Sequence, residues 1–132
     1  MPQAPVAEAE SKPLGVGVRE VVHTARNGCI ASVYRDSMGV RVGVEAGGLG
    51  YTFTHDEAYG VDSLVAWAGG VVVKVRVDDK FGYITLTGGR VRRVPGNVGR
   101  LIMALLITAV ARGSVGLFMI AHRLAVYLPW RR

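Results

Sequence analysis

The sequence predicts an α+β protein, in which an antiparallel sheet of two hairpin or meander units is joined by packing helices and a hydrophobic C-terminal helical region. Three observations lead there. Two stretches, residues 29–46 and 70–94, alternate apolar and polar residues with a period of two, the mark of strands with one buried face. The segments before and between them carry helical spacing or a helix-start signature. Beyond Pro95 the run Leu101 to Ala111 is apolar on every side. At 132 residues the chain forms one domain with an appended helical element. The expected division is a flexible tail over 1–13, a sheet domain over 14–96 and a helical, oligomerising region over 97–132.

The opening MPQAPVAEAESKP is polar and proline-containing and lacks the charged-then-apolar order of a signal peptide. Val18, Val21, Val22 and Ala25 then fall at helical spacing, with Asn27-Gly28 as a stop. The many β-branched residues keep a strand as the alternative. From Cys29 to Ala46 two alternating runs meet at Asp36 to Gly39. Pairing Arg35 with Val40 sets Val33 against Val42 and Ala31 against Val44 on one face, and Tyr34 against Arg41 on the other.

Residues 46–50 read as a loop and Tyr51 to Phe53 as a short edge strand. Thr54, His55, Asp56 and Glu57 match a capping box, which predicts a helix to about Ala68 that stops at Gly69-Gly70.

The stretch Gly70 to Val94 predicts three antiparallel strands. Val71, Val73, Val75 and Val77 form one face, and Lys74 and Arg76 stand on the other. After a reversal at Asp78 to Lys80, laying Val75 and Val73 beside Ile84 and Leu86 sets Arg76 opposite Tyr83 and Lys74 opposite Thr85. A two-residue turn at Gly88-Gly89 then sets Leu86 against Val91 and Thr85 against Arg92.

Asn97 is placed to cap a helix through the apolar run. A second helix carries Leu117, Ala121, Leu124 and Leu128 at heptad-like spacing, which predicts self-association into a homo-oligomer. A membrane span is disfavoured. It needs about 20 predominantly apolar residues, and a single span across both helices would hold Arg112 near its centre at about 2.5–3.5 kcal/mol.

The chemistry follows from what is present. The 50% hydrophobic content and mean hydropathy of +0.30 call for a membrane segment or a large subunit interface, and the first is disfavoured as above. A net charge of +6 and a pI near 10.0 favour polyanionic partners. One cysteine, Cys29, cannot make an internal disulfide; it reads as a small buried filler in a reducing, cytoplasmic setting. His23, His55 and His122 are scattered, without carboxylates or cysteine at ligand spacing. No nucleophile elbow, phosphate loop or zinc spacing occurs. The expectation is therefore a non-enzyme without cofactor or metal. Tyr34, Arg41, Lys74, Arg76, Tyr83, Arg90 and Arg92 are the candidate nucleic-acid-binding residues. Cations attract phosphates, and tyrosines, with Phe81, Tyr51 or Phe53 in reserve, stack on unpaired bases. The lack of a basic recognition helix favours single-stranded DNA or RNA over a duplex.

This layout, a small αβ domain with a basic, aromatic-bearing sheet and a hydrophobic helical C-terminus from Val16 onward, resembles the ThermoDBP-type single-stranded DNA-binding proteins of thermophilic archaea. The resemblance implies a cleft for single-stranded nucleic acid in an oligomer built through C-terminal helices. It matches no diagnostic motif and transfers no site residue. The order helix, hairpin, helix, meander, helix is also similar to roadblock and longin-like dimeric scaffolds that regulate partners.

Overall fold

The computed structural model describes residues 20–26, 28–86 and 88–127. Its sheet is a single eight-stranded meander: β1 (Glu20–Arg26), β2 (Cys29–Asp36), β3 (Gly39–Ala46), β4 (Leu49–Asp56), β5 (Val61–Ala68), β6 (Val71–Val77), β7 (Phe81–Leu86) and β8 (Val91–Pro95). Each strand pairs antiparallel with the next, so sheet order equals chain order and β1 and β8 form the edges. Two helices follow, α1 (Gly96–Ala111) and α2 (Val115–Tyr127). The α+β class holds, with all described helix gathered after the sheet.

Two hairpins take the register that their alternation dictates. In β2–β3, Tyr34 faces Arg41, Val33 faces Val42 and Ala31 faces Val44. In β6–β7, Val75 faces Ile84, Val73 faces Leu86, Arg76 faces Tyr83 and Lys74 faces Thr85. The reversal between β6 and β7 is locked by the Asp78 carboxylate. It accepts from the backbone N–H of Lys80 at 2.8 Å and of Phe81 at 2.7 Å, an Asx turn that holds the carboxyl below its ordinary pKa.

α1 lies across one sheet face and α2 packs against α1. Val73, Val75, Val77, Ile84 and Val94 from the sheet meet Ile102, Leu106 and Ala109 of α1 and Phe118, Ala121 and Ala125 of α2. Each fully buried branched side chain contributes roughly 1.5–3 kcal/mol. The closest approach of helix to sheet is made by two glycines. A Cβ on Gly99 would lie 2.8 Å from Val77 and 3.2 Å from the Gly82 Cα, and one on Gly82 would lie 3.1 Å from the Gly99 Cα. The helices join through Gly113 at φ +64, with Ser114 N–H donating to the Ala109 carbonyl in a Schellman turn. Ser114 Oγ then accepts from Leu117 N–H at the start of α2.

Four expectations are corrected. Residues 20–26 form a strand, as their β-branched residues allow, and not a helix. Residues 54–68 form the end of β4, a turn and β5. Here the Asp56 carboxylate accepts from the N–H groups of Ala58 and Tyr59, which satisfies a turn where a helix start was expected. Leu64 and Ala66 are buried while Ser63, Val65 and Trp67 are not, a period of two that outweighs the capping signature. As part of the same correction, the 46–50 loop shrinks to Gly47-Gly48 and the expected short edge strand becomes β4, a full interior strand. The order shared with roadblock and longin-like scaffolds is therefore not found.

The third correction is the β7–β8 register. Thr85 faces Val91, Ile84 faces Arg92 and Tyr83 faces Arg93, one residue from the expected pairing. Leu86 N–H donates to the Arg90 carbonyl across the connection, in which Gly88 and Gly89 take φ +102 and +86. The expected register would turn Val94 outward and drive Arg93 into the core. The observed one buries Val94 to 1% exposure and leaves Arg93 exposed.

The fourth correction concerns the helices. α1 begins directly after Pro95 with no side-chain cap, and Asn97 is exposed within it. Leu101, Ala104 and Thr108 are exposed, so the run is amphipathic, not wholly buried. On α2 the buried positions are Phe118, Ala121 and Ala125, with Leu117 and Leu124 half-buried against the same core. Leu128 and residues 1–13 lie outside the described residues. No described helix is long and apolar enough to cross a membrane.

Candidate nucleic-acid interface

The sheet face opposite the helices carries the candidate site. Following the pairings from strand to strand, Tyr34 faces Arg41, Arg41 faces Thr54, Thr54 faces Ser63, Ser63 faces Arg76, Arg76 faces Tyr83 and Tyr83 faces Arg93. One lateral row therefore links β2 to β8 and unites both Tyr–Arg pairs. At 4.7–4.9 Å per strand it extends about 30 Å along the sheet. The next row on the same face runs Ser32, Gly43, Thr52, Val65, Lys74, Thr85 and Val91.

Of the seven expected residues, Tyr34, Arg41, Arg76 and Tyr83 share the first row and Lys74 stands in the second. Arg90 is exposed in the β7–β8 loop at the end of this face. Arg92 is corrected: it lies on the helix side. Its Nη1 donates to the carbonyls of Ala125 at 2.6 Å and Val126 at 2.9 Å in the last described turn of α2, where the helix dipole is negative. Arg93 takes its place on the open face, with its guanidinium 4.4 Å from the Phe81 ring centroid. Tyr51 and Phe53 face the helices and pack against the core; burial pushes the Tyr51 hydroxyl pKa up. Cys29 is half-buried and free.

The row is not uniform in charge. At its β2–β3 end the Tyr34 hydroxyl donates to Asp36 Oδ2 at 3.1 Å, and Asp36, Arg41 and Asp56 line one depression of about 150 Å³. Close by, at the edge of the helix side, His55 Nδ1 donates to Asp62 Oδ1 at 2.5 Å and its Nε2 lies 3.4 Å from Glu57. Arg100 of α1 donates to the second Asp62 oxygen at 2.8 Å. The hydrogen bond to Asp62 raises the His55 pKa and outweighs burial. Burial would raise the Asp62 carboxyl, but the bonds from His55 and Arg100 together hold it low. The β6–β8 end is predominantly basic. Lys74, Arg76 and Arg93 are exposed there, the Arg76 guanidinium sits 5.8 Å from the Tyr83 ring centroid, and Asp78 is tied up in its own turn.

Two residues of this face were missed in sequence. Arg93 hinges on one residue of loop length, and the readable signal was that Val94 needs the core more than Arg93 does. Trp67 was assigned to a helix, although Leu64, Ala66 and Ala68 alternate with Ser63, Val65 and Trp67. No protein-family model, curated protein or solved structure matches this chain.

Proposed function

We propose that the protein is a non-catalytic, largely sequence-independent single-stranded nucleic-acid-binding protein acting through the open sheet face. The observation that carries this reading is the β6–β8 end of the row, where Arg76, Tyr83 and Arg93 stand in line with Lys74 beside them. It interleaves guanidinium groups with aromatic rings on a surface the helices leave uncovered. Such interleaving pairs phosphate affinity with sequence-tolerant stacking. Single-stranded DNA stands ahead of RNA through the likeness to ThermoDBP-type proteins. The exposed Leu101, Val115 and Ile120 on the helices support self-association, and a free Cys29 suits a cytoplasmic setting.

Titration of labelled oligo-dT and oligo-U across a salt series tests the reading. With Lys74, Arg76 and Arg93 on phosphates, log affinity falls against log salt with a slope of about −2. Absence of binding at low salt refutes it.

A further inference from the structure

β5 brings to the open face a residue that no candidate list contained. Trp67 stands opposite Gly50 on one side and Val72 on the other. A Cβ built on Gly50 would fall 2.5 Å from the indole Cζ2 and 2.7 Å from Cε2. The ring thus lies on bare backbone, and Gly50 is buried although it belongs to the open face. Trp67 itself is only half-buried. A flat aromatic laid on glycine is held in place before any ligand arrives, which lowers the ordering cost of stacking.

Three adjoining depressions follow β6 on the same face. One is lined by Asp56, Asp78 and Arg76, the next by Arg76, Tyr83 and Lys74, and the third by Lys74 and Val72, with volumes of about 450, 410 and 320 Å³. Shared residues make them one groove. Arg76 and Lys74 are two residues apart on one strand, about 6.6 Å, and the flanking β5 and β7 are about 10 Å apart. That width suits one polynucleotide strand. The groove ends at Val72, beside Trp67.

We propose that Trp67 is a base-stacking platform at one end of a groove along β6, with Lys74 and Arg76 holding successive phosphates. This rests on the nucleic-acid reading above and adds an axis and a stacking residue to it. The ligand is a single-stranded polynucleotide because the groove is cationic between Arg76 and Lys74, the part nearer Trp67, and its flank carries an indole next to Val65 and Val72.

The chain has two tryptophans, so the full chain carrying Trp130→Phe reports on Trp67 alone. It is titrated at low salt with a short oligo-dT and with an abasic strand of equal length. Quenching of Trp67 emission by oligo-dT but not by the abasic strand is expected. Trp67→Ala should weaken oligo-dT about 5- to 150-fold and leave the abasic strand unchanged. Trp67→Phe should retain part of the affinity, and Lys74→Ala should weaken both ligands. Oligo-dT binding with unaltered Trp67 emission overturns the platform and spares the sheet-face reading; this readout needs no substitution at Trp67, so a folding defect in Trp67→Ala does not obscure it. Failure of both ligands to bind overturns both proposals.

Discussion

The hairpins β2–β3 and β6–β7 are written in the same local grammar. Each alternates valines with polar residues, turns on an aspartate and sets a tyrosine against an arginine. Their surroundings differ. Under β6–β7 the helices cover Val73, Val75 and Val77, with Val73 and Val77 at 0% exposure, whereas no residue of β2 or β3 is fully buried. Above, the Tyr34–Arg41 pair lies between Asp36 and Asp56, and the Arg76–Tyr83 pair has Lys74 and Arg93 on its far side from Asp56 and Asp78. Pairing is thus a local property, while stability and charge environment come from the neighbours each hairpin receives.

The largest effect that sharpens this contrast is in the core. Ile84→Ala should cost about 2–5 kcal/mol in urea denaturation, because it opens a cavity beneath α1. Val42→Ala on the less deeply buried hairpin should cost less than about 1 kcal/mol; equal losses would mean the two hairpins are equally packed. Next is binding. The double variant Arg76→Ala with Tyr83→Ala should lower oligo-dT affinity by roughly 10- to 100-fold in fluorescence anisotropy, in keeping with one lost stack and one lost phosphate contact. Tyr34→Ala with Arg41→Ala should change it less than about threefold. The reverse order would move the site to the acidic end.

Adjacent arginines give a finer test. Arg92→Ala should cost about 1–2 kcal/mol of stability through the α2 C-terminus and leave the salt slope intact. Arg93→Ala should leave stability nearly unchanged and reduce the slope by about 0.7. The smallest effect is in pH. Asp62 has a lowered folded pKa, so its contribution is present above its unfolded value near 4 and disappears as pH falls through the folded one. His55 has a raised folded pKa, so its contribution is complete below about 6.5 and is lost as pH rises through the folded value. Denaturation midpoints should therefore drop modestly between pH 6 and pH 8, and His55→Gln should flatten that drop.

Legibility in sequence followed the strength of the period. The valines of β6 and the runs of β2 and β3 alternate without interruption, so a one-residue slip would turn every apolar side chain outward and the register can be read directly. β5 alternates as well, but Asp56 and Glu57 ahead of it imitate a helix start. That imitation hid Trp67. The site was legible as a type of surface, basic and aromatic, and Tyr34–Arg41 and Arg76–Tyr83 paired as the alternation implied. Arg92 and Arg93 could not be assigned locally, because both registers pair strands equally well and only α1, needing Val94 beneath it, separates them.

The sequence by itself determined the antiparallel pairing of β2–β3 and β6–β7 and the apolar and basic sides of β6, since these depend on side-chain alternation between neighbours in the chain. Only the tertiary structure decided that the hairpins join in one eight-stranded sheet, that their Tyr–Arg pairs share a row, and that Arg92 serves a helix end while Arg93 meets solvent. Those outcomes depend on which face α1 and α2 cover, and burial under a distant element is a free-energy difference that no local pattern encodes.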